Sequence, residues 1–337
     1  MLDDRLITET ELRTFFPGTS LSGEAQALLL QQQASWELAR LGFKSLESVR
    51  VTSFDFNGFT LRVQFNAGRL KSTTAKVDNV SVQTRPCFLC NENLPPEQRG
   101  ILYRNDFLLL VNPYPILPEH FTIARIDHLP QRILPDFESF LDLAADLAPQ
   151  FIVLYNGPRC GASAPDHMHF QAGTKQFLPL VDNYGNARAR FGRLLADNGE
   201  VKVFSVDRYL PPFIALESAT PHAMSRMFEM IYRVLQDMSG VSDEPLMNLL
   251  CWFEEGEWRV VIFPRVKHRP DRYFEKGEKR VLFSPAAIDL AGVCVIPVEE
   301  DFTRINADIL KEMVEEVTLP ADAFRDLTGS IAEALGE

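Results

Sequence analysis

Short strand-like runs that follow one another across tight turns constrain the fold of this chain more than any other feature. One pair, 49–56 and 59–65, flanks Asn57-Gly58, the dipeptide most typical of a two-residue β-hairpin. A second pair surrounds Glu255-Gly256 in the same way. Strands joined by tight turns pair antiparallel, whereas parallel neighbours need a long crossover connection. The pattern therefore favours an antiparallel α+β architecture over a doubly wound parallel sheet.

The chain divides into three segments by the pattern of its apolar residues. Residues 24–41 carry apolar side chains at close to a 3.6-residue repeat, which predicts a helix near the N-terminus. Strand-like runs with occasional helices fill the rest, and 337 residues are enough for about two domains. We expect an N-terminal helical segment at 1–47, a first half at 48–195, and a second half at 196–337 that ends in helices.

The charge balance excludes whole classes of partner. The chain has 34 Lys and Arg against 46 Asp and Glu, which gives a formal net charge of −12. Proteins that bind nucleic acids normally carry clustered positive charge, so we expect no nucleic-acid partner. A few basic groups in a cleft can still bind a small anion. No apolar run reaches the ~20 residues of a membrane span, and the N-terminus lacks a signal-peptide core. We therefore predict a cytoplasmic protein without a membrane partner.

The cysteines present a choice between metal and redox chemistry. Five cysteines in a long chain without a signal peptide do not make a disulfide framework. Cys87 and Cys90 form a Cys-x-x-Cys motif, which suits a metal site or a redox pair, and the motif alone leaves both open. Cys251 and Cys294 lie in apolar strand-like runs and are predicted to be buried, inert thiols.

The densest group of chemically active residues begins at Gly161. If the end of this segment is a strand, its two-residue period places His167, His169 and Gln171 on one face. Gly161 leaves room for a phosphate to approach the backbone, and Ser163 can add a hydroxyl donor. A neutral imidazole beside such a pocket is a candidate nucleophile. The alternative for an isolated His-x-His is a pair of hydrogen-bonded sheet residues.

The run His167-Met168-His169-Phe170-Gln171 resembles the His-x-His-x-Gln signature of the transferase branch of the histidine-triad superfamily. This branch includes galactose-1-phosphate uridylyltransferase, diadenosine tetraphosphate phosphorylase and the GDP-sugar phosphorylases. The resemblance implies antiparallel sheets with flanking helices in tandem histidine-triad-like halves, the first catalytic and the second degenerate. It assigns the attack on the α-phosphate, and the covalent nucleotidyl intermediate, to His169. It makes Gln171 a hydrogen-bond donor to a phosphoryl oxygen.

The resemblance also implies a structural zinc site. Carried over residue by residue, its ligands are Cys87, Cys90, His128 and His167, a Cys₂His₂ set that suits closed tetrahedral coordination. His120 is the rival for the third position, because it lies only eight residues before His128 and matches another histidine motif of the superfamily. Without a metal, the Cys-x-x-Cys motif is simply two buried thiols at a turn.

Further segments resemble the substrate-binding regions of the same families. Arg69 and Lys71 match a stretch that contacts nucleotide phosphates, although the end of a hairpin also exposes such side chains to solvent. Asn112 matches a contact to the ribose, and Asn156 matches the Asn-x-Gly region before the phosphate loop. Together with the Gly and Ser of that loop, these residues are the predicted substrate-binding set.

The expected function is nucleotidyl transfer or phosphorolysis of a nucleoside diphosphate sugar. The Arg69 segment favours a GDP-sugar over a dinucleoside polyphosphate or a UDP-hexose, and the acceptor is phosphate or a sugar phosphate. Gln171 cannot act as an acid or base, which disfavours hydrolysis. A nucleotide-binding protein that keeps zinc but has lost turnover is the alternative. Dimerisation is common among the uridylyltransferases, and the sequence leaves a homodimer open. The basic run 267–269 could reach the substrate from the second half, but a surface basic cluster is the favoured interpretation.

Overall fold

The computed structural model describes residues 2–74, 79–241 and 243–336; the side chains of residues 71, 72, 79, 80 and 83 lie outside that description. None of the helices formed by the described residues is long and apolar enough to span a membrane. In chain order the strands are β1 (Arg50–Phe56), β2 (Phe59–Phe65), β3 (Gly100–Tyr103), β4 (Phe107–Val111), β5 (His120–Arg125), β6 (Phe151–Asn156), β7 (His169–Thr174), β8 (Gly192–Asp197), β9 (Val201–Val206), β10 (Phe213–Ser218), β11 (Met247–Glu254), β12 (Glu257–Pro264) and β13 (Val293–Ile296).

Across the described residues, ten of these strands form one antiparallel sheet in the order β3-β4-β5-β7-β6-β11-β12-β10-β9-β8. Counted inward from one edge, the strands are the first, second, third, fifth and fourth strands of their half along the chain, and counting from the other edge gives the same order. The sheet therefore consists of two halves with the same topology. The halves meet where β6 pairs with β11, and Asn156 lies opposite Asn248. The predicted antiparallel α+β class is confirmed, while the division of the chain at residue 195 stays a prediction.

One connection differs between the two halves. In the first half, residues 157–168 separate β6 from β7. In the second half, Glu255 and Gly256 alone join β11 to β12, with φ angles of 54° and 85°. A two-residue turn needs this left-handed backbone, and glycine adopts it without steric cost. At this position only the first half therefore has a loop long enough to surround a ligand.

The helices and a small second sheet cover the two faces of the large sheet. The hairpin of β1 and β2 turns at Asn57 and Gly58, with φ angles of 57° and 91°, and β13 adds parallel to β2. The helices are α1 (Glu9–Phe15), α2 (Leu21–Ser35), α3 (Glu37–Ser45), α4 (Leu70–Thr73), α5 (Asn79–Thr84), α6 (Phe137–Asp146), α7 (Pro179–Phe191), α8 (Pro221–Ser239), α9 (Ala287–Leu290), α10 (Glu299–Arg304), α11 (Ala307–Val317) and α12 (Ala321–Ala334).

Strand β7 shows how the two layers sort the side chains. Phe170 and Ala172 belong to a core built with α2, α6, α8 and α12. His169 and Gln171 alternate with them and therefore face the other layer. That second layer contains β2, β13, α7, α9 and α11. The candidate nucleophile thus lies between the large sheet and the layer that holds the small sheet.

Two local expectations from the sequence are wrong. The helix expected at 24–41 is two helices, because Trp36 has an extended backbone with φ −121° and ψ 108° between α2 and α3. The strand expected from His167 begins only at His169. His167 lies in the preceding turn, where its N–H donates to the carbonyl of Ala164. The pleat of a strand therefore does not fix the direction of the His167 ring.

Candidate functional site

The hydrogen bonds of His169 determine which of its ring nitrogens is free to react. The residue is 5% exposed, and Nδ1 of its ring lies 2.8 Å from the carbonyl oxygen of His167. A carbonyl can only accept, so Nδ1 carries the hydrogen and Nε2 carries the lone pair. Burial lowers the pKa of His169 to about 4, which keeps the ring neutral at pH 7. The ring thus has the tautomer required for nucleophilic attack through Nε2.

Gln131 holds the backbone of His169, and nothing in the sequence pattern had pointed to it. Its Oε1 accepts from the His169 N–H at 2.8 Å, and its Nε2 donates to the His169 carbonyl at 2.9 Å. The same Nε2 donates to the carbonyl of Asn156 at 3.0 Å. The pairing of β6 with β7 ends at Leu154 and Gln171, so the Gln131 amide bridges the two strands where they separate.

The predicted metal ligands converge. The ligand atoms of Cys87, Cys90, His128 and His167 all lie within 4.8 Å of one another. Sγ of Cys87 is 3.3 Å from Nδ1 of His167, and Sγ of Cys90 is 3.1 Å from Nδ1 of His128. His120 lies elsewhere, against Gln171, so the alternative that placed it in this cluster is wrong.

The surroundings of the cluster orient both imidazoles toward its centre. His167 donates from Nε2 to the carbonyl of Arg125 at 2.7 Å, which leaves the Nδ1 lone pair facing the thiols. Nε2 of His128 lies 3.6 Å from the carboxylate of Asp166. A carboxylate or carbonyl behind each imidazole is the usual arrangement around a metal-binding histidine. The cluster can therefore hold a metal ion.

A cavity of about 60 Å³ lies on the face of the sheet that carries Gln171. Five of the predicted site residues line it, together with residues from the second half of the chain. The lining consists of Arg69, Thr73, Ile116, Asn156, Gly161, Ala162, Ser163, Gln171, His268, Arg269, Ser284, Ala286, Ile288, Asp289 and Val295. His169 and Asn112 lie outside the described lining, and the Lys71 side chain lies outside the described residues.

The loop between β6 and β7, residues 157–168, packs closely against the second half of the chain. Gly161 has φ +99°, and a Cβ there would lie 2.7 Å from Cβ of Ala286. Oδ1 of Asn156 accepts from the Asn248 side chain at 2.8 Å and from the Ala287 N–H at 2.9 Å. Asn112 uses its Oδ1 locally, accepting from the Tyr114 N–H at 3.0 Å. Its contact to a ribose stays a prediction.

The cavity concentrates positive charge in an acidic protein. Arg69 donates to the carbonyl of Tyr114 at 2.5 Å, and burial lowers its pKa only to about 10, so it stays charged. Arg269 donates to Oγ of Ser284 at 3.0 Å and lies 4.3 Å above the ring of Tyr273. Two guanidinium groups against the single carboxylate of Asp289 leave the described cavity lining with a net positive charge, which favours an anion such as a phosphate.

The interpretation of 267–269 as a surface cluster is wrong for two of the three residues. His268 and Arg269 line the cavity, whereas Lys267 pairs with Asp271 and Glu316. The buried side chain of Arg265 explains the difference.

Arg265 is buried and ties this segment to the sheet. It donates to Oδ1 of Asn248 at 2.5 Å and to the carbonyls of Lys267 and His268 at 3.1 and 3.0 Å. These bonds fold the basic segment back over β11, next to the loop between β6 and β7.

The comparisons with known proteins agree with this architecture. Residues 28–174 match a domain of unknown function, DUF4922, and residues 186–337 match the family described as GDPGP1-like, C-terminal domain. No curated protein matches the sequence significantly.

Solved structures share the fold at low identity. The crystal structure of yeast Ap4A phosphorylase Apa2 in complex with AMP aligns at a TM-score of 0.56 and 14% identity, over 84% of this chain and 96% of that chain. The same yeast enzyme in complex with Ap4A aligns at a TM-score of 0.54 and 14% identity, over 84% of this chain and 97% of that chain. The resemblance to the transferase branch of the histidine-triad superfamily is confirmed. On this histidine-triad-like fold, His169 and Gln171 lie on β7, and the region that matches the GDPGP1-like model supplies residues to the opposite side of the cavity.

Proposed function

We propose that the protein is a nucleotidyltransferase of the phosphorylase type that acts on a nucleoside diphosphate sugar, with a GDP-sugar favoured. The observation that carries the proposal is the tautomer of His169, which leaves the Nε2 lone pair free to react. His169 lies two residues before Gln171 on β7, and Gln171 lines the cavity. Support comes from the GDPGP1-like domain and from the fold shared with yeast Ap4A phosphorylase.

The reaction consists of two displacements at one phosphorus atom. Nε2 of His169 forms a bond to the α-phosphorus, and the bond from that phosphorus to the bridging oxygen breaks, so that the sugar phosphate leaves. Nδ1 keeps its hydrogen throughout, bonded to the His167 carbonyl. Inorganic phosphate then attacks the phosphorus and breaks the P–N bond, which releases a nucleoside diphosphate and restores the neutral ring. A sugar phosphate as acceptor would give a new nucleotide sugar instead.

The residues of the cavity have distinct roles in this proposal. Gln171 donates to a phosphoryl oxygen but cannot take a proton from water. The intermediate therefore reacts with an anionic acceptor and not with water. Arg69 and the loop residues Gly161 and Ser163 hold the other phosphate oxygens. Asn156 positions that loop, and Lys71 and Asn112 contact the phosphates and the ribose of the bound nucleotide.

We further propose that the Cys₂His₂ cluster holds a structural zinc ion. Zinc bonds of about 2.3 Å to sulfur and about 2.0 Å to nitrogen place those atoms about 3.5 Å apart in a tetrahedron. The sulfur-to-nitrogen distances of 3.1, 3.3 and 3.6 Å fit this geometry. When bound, the ion supplies a rigid link between Cys87, Cys90 and the turn before β7, and no step of the reaction passes through it.

A dinucleoside polyphosphate is the second candidate substrate, because the two yeast structures described above belong to an Ap4A phosphorylase. Hexose-1-phosphate uridylyl transfer is the third candidate. A nucleotide-binding protein without turnover is the alternative to all three, and the experiment below separates it from them.

The test is a panel of GDP-sugars, UDP-sugars and adenosine dinucleotides, each with and without phosphate. We expect nucleoside diphosphate to form only with phosphate, and a mass increase of one nucleotidyl group on His169 when phosphate is omitted. His169→Ala should remove the adduct, while His222→Ala, at a side chain that is 71% exposed, should leave it unchanged. Nucleotide binding without any adduct or product across the panel would contradict the proposed activity and favour the inactive binding protein.

A further inference from the structure

We propose that His120 is a positioning residue that fixes the orientation of the Gln171 side-chain amide, so that its NH₂ group points into the cavity. The inference rests on the proposed function, because it concerns how the same site presents donors to a phosphoryl group. His120 opens β5, next to β7, and its register partner is Gly173.

A backbone N–H determines which tautomer the His120 ring adopts. The N–H of Ile116 lies 3.1 Å from Nδ1 of His120, and an N–H can only donate. Nδ1 must therefore be the acceptor, and the hydrogen of the neutral ring must be on Nε2. His120 Nε2 lies 2.9 Å from the side-chain amide of Gln171, so the atom it meets there must be the carbonyl oxygen Oε1.

The orientation of Gln171 follows without any choice between its two amide atoms. With Oε1 bonded to His120, Nε2 of Gln171 is the polar end left for the cavity that this residue lines. An NH₂ group offers two donors to the oxygens of a phosphoryl group. The reverse orientation would direct an oxygen at those oxygens, which is repulsive. Through the buried imidazole of His120, the Ile116 N–H thus determines that Gln171 presents a hydrogen-bond donor to the cavity.

The surroundings keep His120 in this state. The residue is completely buried, and its neighbour Arg69 is positively charged. Both effects lower the pKa of His120 to about 3, so the ring stays neutral through the pH range in which the enzyme is expected to work. A protonated ring would carry a hydrogen on Nδ1, facing the Ile116 N–H, and the bond between them would be lost.

A double-mutant cycle on the rate of adduct formation tests the coupling. Removing one preorganised donor costs about 100- to 1,000-fold, so we expect a loss of at least about 100-fold for Gln171→Ala and about tenfold for His120→Leu, which keeps the Gln171 amide. If His120 acts through Gln171, the change at His120 should cost less than about twofold in the Gln171→Ala background. His120→Gln, which keeps an acceptor and a donor on one planar group, should recover most of the rate. If His120→Leu lowers the rate of adduct formation equally in the wild type and in Gln171→Ala, the inference is overturned.

Two measurements separate this inference from folding defects and from the proposed function. His222→Leu is the matched control for a histidine replaced by leucine, and melting temperature and metal content should identify variants that misfold. Long-range ¹H–¹⁵N spectra of protein labelled at histidine report the tautomer of His120 without any turnover, with His120→Gln used to assign the signal. A ring with its hydrogen on Nδ1 would overturn the inference. If the wild type has the Nε2–H tautomer but forms no adduct, the proposed function fails and the orientation of Gln171 stands.

Discussion

The two halves of the large sheet face the same layer with different chemistry. In the first half, β7 directs His169 and Gln171 toward the layer that contains the small sheet. In the second half, β12 presents the buried, apolar Val261 and Phe263 to that layer. The loop before β7 has also been replaced by the two-residue turn before β12. Beside β12 there is therefore no counterpart of the loop that the first half offers for a phosphate.

The second half still contributes to the site through the chain that follows β12. We call the lining residues His268, Arg269, Ser284, Ala286 and Asp289 the second-half wall. Arg265 holds the start of this wall, and the Ala287 N–H bonds to Asn156 of the first half. Under the proposed function, the first half supplies the reacting group and the second half supplies the wall that encloses the substrate.

The largest expected effect comes from removing the reacting group. His169→Ala should lower kcat by roughly 10⁴-fold or more, because the covalent route disappears with its nucleophile. Val261→Ala, on the same face of the second half, should cost about 2 kcal/mol of stability and leave kcat within about twofold. Steady-state kinetics and urea unfolding measure the two effects. A large loss of kcat in Val261→Ala at unchanged stability would contradict the division of roles between the halves.

The next largest effect tests the Gln131 side chain, which bridges β6 and β7 where the two strands separate. Gln131→Leu leaves the His169 N–H and carbonyl without their side-chain partners, which should cost about 3 kcal/mol of unfolding free energy. We also expect slower adduct formation, because the ring of His169 is positioned by this backbone. The second half needs no such bridge, since β11 and β12 stay paired from Met247 to Glu254. Unchanged stability and rate in Gln131→Leu would show that the bridge is dispensable.

Loss of the bound metal should lower activity only by displacing the turn before β7. Cys87→Ser should release the metal and lower kcat by roughly 10- to 100-fold, the range seen when the surroundings of a metal site are disturbed. Cys251→Ala, a buried thiol of the second half, should keep the metal. Elemental analysis and kinetics of both variants measure this. Full activity and stability in Cys87→Ser would make the zinc assignment wrong even if the role of His169 is right.

The sequence predicted those parts of the molecule that depend on local signals. The turns at Asn57-Gly58 and Glu255-Gly256 follow from backbone preferences, so the antiparallel class was predictable. The Cys₂His₂ cluster was predictable because its motif resembles a known one, although only the structure distinguishes His128 from His120.

Residues that act across long sequence distances gave no such signal. Gln131 reaches His169 and Arg265 reaches Asn248 through the packing of distant segments. Arg269 was interpreted as a surface residue because its own neighbours in the chain are basic and polar, and only the return of the chain over β11 brings it to the cavity. His167 was placed on the wrong element because the start of a strand depends on its partner strands.

The contact between the halves should also respond to pH. Glu244 precedes β11 and accepts from the Tyr155 hydroxyl at 2.5 Å and the Ile133 N–H at 2.6 Å, both in the first half. Burial raises the pKa of Glu244 to about 7, so the folded state binds a proton that the unfolded state has already released above about pH 4.5. Stability from this group is present at low pH and declines as the pH rises through 7. Between pH 5 and 8 the wild type should lose about 2 kcal/mol more than Glu244→Gln in urea unfolding. An identical decline in both proteins would exclude Glu244 as the cause.

The smallest effect tests whether the second-half wall takes part in binding. Arg69 and Arg269 reach the cavity from different halves, so each change to Met should weaken the binding of a nucleoside monophosphate by about tenfold. Equilibrium titration in the His169→Ala background measures binding with the chemistry switched off. Arg226→Met, at a side chain that is 56% exposed, is the control for a lost arginine. If only Arg69→Met weakens binding, the wall encloses the cavity without holding the substrate. If both do and the double variant loses about 100-fold, the second half has kept a share of the site after losing its own loop.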